Sequence, residues 1–174
     1  MHKDEIADLL EQKYHALITW LQVQDNEKWT QGPEGKWTTS QQALHLLQSI
    51  KPLNDILSMP RFFFKYAFGK NTRDLHDYDT IIKDYQKILK ESKDYTFKSS
   101  KNMKVPKLKD KTYILNRLQV ESKKLQYKTR RISDKNLDTL VLPHPLMGKM
   151  PIREILMWNA YHVEHHTKTL QKYY

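Results

Sequence analysis

Four long segments of this chain repeat apolar residues with the period of an α-helix, and this pattern limits the fold more than any other feature. The first segment runs from about Lys3 to Gln24. Its apolar stripe follows the three- and four-residue spacing of one helix face and consists of Ile6, Leu9, Leu10, Leu17, Ile18 and Leu21. The chain has 174 residues but only four glycines, which favours helices over a sheet with tight turns. We therefore predict an all-α fold.

The second helix has a start that is marked twice. Thr38-x-x-Gln41 and Thr39-x-x-Gln42 are both capping-box patterns, in which a threonine and a glutamine satisfy free N–H groups of the first turn. The helix therefore begins at one of these two threonines, and its apolar pattern continues to about Leu57. The sequence does not decide between the two starts.

Two further long helices are predicted, over about Asp110–Ile132 and from Pro151 toward Lys172, with a shorter helix over 78–89. Between the shorter helix and the third long one, the segment at about 91–109 reads as an irregular basic insertion in a single domain that spans 1–174. Four long helices with a long crossover between helices two and three make a four-helix bundle.

Composition excludes several classes of protein. The chain contains no cysteine, so it has neither disulfides nor a thiolate ligand or nucleophile of its own. No apolar run approaches the ~20 residues that a membrane span needs, and the first residues lack the apolar core of a signal peptide. We expect a soluble protein of the cytoplasm without a membrane partner.

The net charge of +10 invites a nucleic-acid hypothesis. The densest basic stretch, Lys98–Lys111, holds six lysines but no aromatic residue on which a base could stack. Nucleic-acid binding is therefore disfavoured, and we expect a small-molecule substrate. The apolar stretch RFFFKYAF at 61–68 either extends helix two or forms a separate flap, and it offers a surface for a homodimer.

Three histidines stand close together on the last helix. His162 and His166 are one turn apart on its apolar stripe, a spacing that allows two imidazoles to bind one metal ion, while His165 flanks them. Spacing alone fits hydrogen-bonded core histidines equally well, and a tetrahedral site needs a third ligand. His45, between the leucines of helix two, can supply it.

The same residues carry a resemblance to the DinB/YfiT-like family. GKWTTSQQALHLL resembles its first motif, in which a tryptophan precedes a helix and a histidine follows eight positions later, as Trp37 and His45 do. PHPLMGKMPIREILMWNAYHVEHH resembles its second motif, where Gly148, His162 and His166 match. The resemblance implies an up-down-down-up four-helix bundle with these three histidines as the metal ligands. It also places a histidine at position 144, which we interpret as anchoring the loop.

Three neutral imidazoles leave an ion its full charge and an open position, the pattern of a catalytic site. The family resemblance favours zinc or nickel, with iron, manganese and copper as alternatives because histidine does not select one metal. Val163 stands where zinc peptidases have their glutamate base, so peptide hydrolysis is disfavoured. Characterised relatives include metal-dependent transferases that use a low-molecular-weight thiol.

The resemblance therefore implies such a transferase first and a hydrolase second. A non-catalytic metal-binding stress or interaction protein is the alternative. No catalytic or cofactor-binding side chain is identified by the sequence. Candidates for the wall of the site are aromatic or amide residues close to the histidines: Gln41, Gln48, Trp158 and Asn159. The run Phe62–Phe64 is a candidate for a cap over the pocket, although an aromatic cluster is also typical of a plain core.

Overall fold

The computed structural model of the chain describes residues 1–92 and 102–174. Its helices are α1 (Lys3–Val23), α2 (Thr39–Leu57), α3 (Arg61–Phe68), α4 (Tyr78–Glu91), α5 (Lys111–Arg131), α6 (Asp134–Thr139) and α7 (Ile152–Tyr173). Two strands, β1 (Val141–His144) and β2 (Gly148–Pro151), form an antiparallel hairpin. No helix in the described ranges combines the length and the apolarity that a bilayer crossing needs.

The four long helices α1, α2, α5 and α7 form the predicted bundle. Helix α1 packs against both α5 and α7, and α2 packs against α5. The core between them consists of fully enclosed aliphatic side chains, including Leu10, Leu17, Leu46, Leu118 and Leu156. Burial of these side chains holds the helices in place, because each fully buried leucine contributes roughly 1.5–3 kcal/mol. The predicted all-α bundle with its long crossover is confirmed.

The crossover between α2 and α5 contains two further helices. The stretch at 61–68 forms the separate helix α3, which follows Pro60 and does not extend α2. Helix α4 packs against α7, where the Nε2 group of Gln86 donates a hydrogen bond of 2.7 Å to the hydroxyl of Tyr161. Part of the expected basic insertion, residues 93–101, lies outside the described residues.

The connection before the last helix is more regular than the sequence indicated. The two halves of the segment 141–151 pair as β1 and β2, with His144 opposite Gly148. Gly148 has a φ of 71°, a conformation that side chains with a Cβ rarely adopt. Pro151 ends β2 and precedes the first turn of α7, in which we had expected it.

Ion pairs with one buried partner each fix the start of α7. Arg153 donates to Asp138 at 2.5 Å and to Asp134 at 2.7 Å, which ties the helix to α6. The next residue, Glu154, is only 1% exposed and accepts two hydrogen bonds from the Arg73 guanidinium, at 2.8 and 2.6 Å. These contacts set the rotation of α7 and so the direction in which its later histidines point.

Candidate metal centre

Three imidazoles from two helices of the bundle meet at one point. The Nε2 atom of His162 on α7 lies 3.1 Å from Nε2 of His45 on α2, and 3.1 Å from Nε2 of His166 one turn further along α7. All three ligand atoms lie within 4.8 Å of one another. The structure thus brings together the three histidines that the sequence singled out across more than a hundred residues, while their role as ligands stays a prediction.

The donor set fits a divalent transition-metal ion. Nitrogen ligands about 2.0–2.1 Å from one tetrahedral ion are roughly 3.3 Å apart, close to the 3.1 Å that separates Nε2 of His162 from Nε2 of His45 and of His166. Burial lowers the pKa of His45 to about 4. Burial, together with repulsion between the neighbouring rings, holds the pKa values of His162 and His166 well below the ordinary value. The rings are therefore neutral at physiological pH, with lone pairs available to a cation.

Gln42 on α2 fixes the ring of His166. Its Oε1 atom is hydrogen-bonded to Nδ1 of His166, and because an amide oxygen only accepts, Nδ1 carries the proton. The Nε2 atom is thereby left unprotonated and free to bind a metal, as in other histidine sites whose second nitrogen is held by an oxygen. Sequence reasoning missed this role of Gln42, although its three-residue spacing from His45 puts both on one face of α2.

The N-terminal cap of α2 explains why the side chain of Gln42 is available to bind His166. Thr38 is the N-cap of α2, and its backbone N–H donates to Oε1 of Gln41 at 2.9 Å. Gln41 also donates from Nε2 to the carbonyl of Met103 at 2.7 Å. The first of the two possible capping boxes is therefore the one that forms. The side chain of Gln42 is left to reach across to α7.

Two tryptophans flank the imidazoles. The ring of Trp37 lies 4.8 Å from that of His45 and nearly parallel to that of His166, at 6.4 Å and 10°. On the other side, the ring of Trp158 stacks on His162 with centroids 4.7 Å apart. The two indole rings cover the imidazoles and restrict their rotation. Trp37, the tryptophan of the first motif, therefore neighbours histidines of both motifs.

The histidine cluster opens onto a cavity of about 970 Å³, the size of a site for a drug-sized molecule. Trp158 and Gln48 line it, as expected for the wall of the site. Phe62–Phe64, expected as a cap, are not part of the lining. Further apolar and aromatic side chains complete the wall, among them Leu53, Tyr85, Leu89, Leu142 and Ile155.

Two residues expected in the wall point elsewhere. Gln41 serves the cap of α2, as described above. Asn159 is fully buried between helices, where its Oδ1 atom accepts a hydrogen bond of 3.0 Å from the hydroxyl of Tyr14 on α1. The prediction was wrong for both residues. Gln41 is hydrogen-bonded to backbone groups, and Asn159 is hydrogen-bonded to a hydroxyl group in the core.

Carboxylates are scarce around the cavity. Glu164 forms an ion pair with Lys13 on α1 at 2.8 Å, away from the three imidazoles. Of the described residues that line the cavity, only the exposed Glu34 carries a carboxylate. His165 lines the cavity without joining the cluster. The described residues therefore supply the cluster with no carboxylate comparable to the glutamate of a zinc peptidase.

His144 anchors the turn of the hairpin. Its Nδ1 atom accepts hydrogen bonds from the backbone N–H groups of Leu146 and Met147, at 3.2 and 3.0 Å. The ring lies nearly perpendicular to that of Trp158, with centroids 4.2 Å apart, and it lines the cavity. Burial lowers its pKa to about 4. These contacts give the side chain the anchoring role that the sequence suggested.

Known structures share this fold. The chain is 20% identical to YfiT from Bacillus subtilis, described as a probable metal-dependent hydrolase with an unusual four-helix bundle topology. That match covers 98% of this chain and 84% of YfiT, with a TM-score of 0.60. TT2238, described as a four-helix bundle protein, is 19% identical, over 97% of this chain and 98% of its own, with a TM-score of 0.59. At these identities the likeness establishes the fold alone.

Family membership rests on the sequence. No curated protein matches the chain significantly. A model of the DinB superfamily, by contrast, matches residues 9–170, a range that includes most or all of each helix of the bundle and all three clustered histidines. The chain belongs to the DinB superfamily.

Proposed function

We propose that this protein is a divalent-metal-dependent enzyme that holds its ion with His45, His162 and His166. The observation that carries the proposal is the convergence of three neutral Nε2 atoms at the wall of a large apolar cavity. These three residues would leave a bound divalent ion its full charge and an open position, and such an ion would supply the activation of a thiol or a water molecule. Zinc or nickel suits three nitrogen donors, and iron or manganese is the alternative.

We favour transfer of a small thiol over hydrolysis. A thiol has a pKa near 8.5 and loses its proton far more readily than water, so it needs no strong protein base. That suits a cavity whose described lining contains one exposed carboxylate, Glu34. The thiol must come from solution because the chain contains no cysteine. Trp158 and Tyr85 give the cavity an aromatic wall against which an apolar electrophile can pack.

Hydrolysis is the second candidate, because the chain resembles YfiT, described as a probable metal-dependent hydrolase. A base that acts on the attacking water would assist this reaction. Two described groups that line the cavity could serve as that base: Glu34, whose exposed position on the loop before α2 would demand a movement toward the histidines, and His165, which neighbours the cluster without belonging to it. A non-catalytic metal-binding protein is the remaining alternative, and it predicts a bound ion without turnover.

Metal analysis tests the premise that these candidates share. The wild type is expected to retain about one divalent ion per chain, and the double variant His45→Ala/His162→Ala none. His165→Ala is the matched control, since this histidine neighbours the cluster without belonging to it. Equal metal content in the wild type and the double variant would refute the site.

A second assay separates the candidate reactions. Metal-loaded protein is incubated with glutathione or cysteine and a panel of aryl halides, epoxides and activated alkenes, and separately with p-nitrophenyl esters. Thiol conjugates that disappear on chelation are the expected result. Ester cleavage alone would favour the hydrolase, and bound metal without either product would favour the non-catalytic protein.

A further inference from the structure

The imidazole of His144 has one nitrogen that the hairpin uses and one that it does not. Nδ1 accepts from two backbone N–H groups, those of Leu146 and Met147. An atom that accepts these bonds has its lone pair facing the donors, so in the neutral ring the proton is on Nε2. The turn therefore holds the side chain in a single tautomer, with Nε2–H as a hydrogen-bond donor.

That donor has no partner among the described residues. Among residues 1–92 and 102–174, no group accepts a hydrogen bond from Nε2 of His144. Because the ring lines the cavity, Nε2–H is a polar group on an otherwise largely apolar wall. Such isolated polar groups fix the orientation of ligands in apolar sites.

Its position relates the donor to the candidate metal centre. Trp158 lies edge to face with His144 at 4.2 Å and stacked on His162 at 4.7 Å. Tyr85 is perpendicular to both His144 and His162, at 6.3 and 6.4 Å. The donor and the metal-site imidazole therefore lie on one continuous aromatic wall, two ring contacts apart. A single ligand of moderate size can reach both.

We infer that His144 is a substrate-binding residue whose Nε2–H donates a hydrogen bond to an acceptor oxygen of an apolar, aromatic substrate. The acceptor is a carbonyl, nitro, carboxylate or sulfonate oxygen, placed so that the rest of the molecule lies along Trp158 toward the histidine cluster. The inference rests on the proposed function in taking this cavity as the substrate site. It names the chemical class of the substrate, which the metal ligands do not.

Two substitutions separate the anchor from the donor. In His144→Asn the side-chain oxygen can still accept from the backbone N–H groups of the turn, while nothing replaces Nε2–H. In His144→Gln the amide nitrogen reaches the place of Nε2 and can donate, while the anchor is lost. The first variant is expected to fold with nearly the stability of the wild type, and the second to unfold at a lower temperature.

Binding of two matched probes tests the inference. The probes are 8-anilinonaphthalene-1-sulfonate, which carries an acceptor group, and N-phenyl-1-naphthylamine, which has the same aromatic frame without it. Fluorescence titration of the purified protein, repeated with EDTA, should show that His144→Asn binds the sulfonate about tenfold more weakly than the wild type. The affinity for the uncharged probe should be unchanged, and His144→Gln should restore the affinity for the sulfonate to within about threefold.

Several outcomes would overturn the inference. They are equal affinity of the wild type and His144→Asn for the sulfonate, an equal loss for both probes, and failure of the wild type to bind either. A ring of His144 protonated at Nδ1, detected by two-bond ¹H–¹⁵N correlation spectra, would also do so. None of these readouts depends on bound metal, so a failure here is distinct from a failure of the metal analysis.

Discussion

The Nδ1 atom of His166 is hydrogen-bonded to the side-chain oxygen of Gln42, and this bond joins the two helices that form the candidate metal centre. It determines which nitrogen of His166 carries the proton. It also resists rotation of the ring away from His162 and His45. A single glutamine thus prepares one ligand of the cluster before an ion binds.

We predict that Gln42→Leu weakens zinc binding about 10- to 100-fold, the usual effect of removing the partner of a metal-ligating histidine. Without the amide oxygen, the proton of His166 is free to sit on Nε2 and must be displaced by the metal. The measurement is a competition titration of Zn²⁺ against a chromophoric chelator. Affinity within twofold of the wild type would contradict the role of Gln42.

Gln41→Leu is the matched control for that experiment. Gln41 is the neighbouring residue with the same side chain, but it caps α2 and contacts Met103 without reaching the histidines. Its loss should lower the free energy of unfolding by about 1 kcal/mol and leave zinc affinity unchanged. A comparable loss of affinity in both variants would mean that α2 as a whole, and not Gln42, sets the site.

Zinc should stabilise the folded protein, because an ion that binds only the native state shifts the unfolding equilibrium. At a free concentration 100 times its Kd, the expected gain in the free energy of unfolding is about 2.7 kcal/mol. The gain should vanish in His162→Ala, whose Nε2 lies between the other two, and persist in His165→Ala. Urea unfolding with and without Zn²⁺ measures it. If zinc did not stabilise His165→Ala, His165 would also have to be a metal ligand.

The sequence predicted the bundle because its long helices carry their own signals. Apolar stripes and caps are local, and they indicated the bounds of α1, α2, α5 and α7 closely. The hairpin at 141–151 was not predicted, since four-residue strands with two prolines give no alternating pattern long enough to recognise. Its pairing comes from tertiary contacts with α7 and α3.

The part of the site that could be predicted consists of histidines at a recognisable spacing in the sequence. One turn separates His162 from His166, and a family motif added His45. Gln42 was missed because two overlapping capping boxes fit the sequence equally well, and only packing against α7 decides which glutamine caps. Asn159 has the right spacing to face the site, but the hydroxyl of Tyr14 holds it in the core.

The buried carboxylate of Glu154 should make Arg73 important for stability. Arg73→Met leaves Glu154, 1% exposed, without its two guanidinium hydrogen bonds. Removing one partner of a fully buried pair costs about 3–5 kcal/mol. Because the Arg73 side chain is 40% exposed, water replaces part of the interaction and we expect about 2 kcal/mol, measured by urea unfolding.

The exposed pair of Lys51 and Asp55, 3.0 Å apart, is the control for this prediction. Both side chains are more than half exposed, and such pairs contribute little. Lys51→Met should therefore unfold within error of the wild type. Wild-type stability of Arg73→Met would contradict the prediction. It would mean that Arg153 and α6 hold the start of α7, and that Glu154 is stable without the guanidinium of Arg73.

His144 should make the folded protein less stable as the pH is lowered. Burial lowers its pKa to about 4 in the folded protein, whereas the unfolded chain has the ordinary value near 6.5. At a pH between these two values His144 is protonated in the unfolded chain but not in the folded protein. The free energy of unfolding therefore decreases as the pH falls through this range. From pH 7 to pH 5 the contribution of His144 to that loss is about 2 kcal/mol.

The variant His144→Asn removes this titration and should lose about 2 kcal/mol less than the wild type over the same range. Urea unfolding at both pH values in EDTA measures it, the chelator preventing any release of metal from contributing. The difference between the two proteins at pH 7 gives the cost of the substitution itself. His45, with a pKa also lowered to about 4, keeps part of the pH dependence in the variant. Parallel losses in both proteins would mean that His144 is protonated in the folded state, which its two backbone donors on Nδ1 oppose.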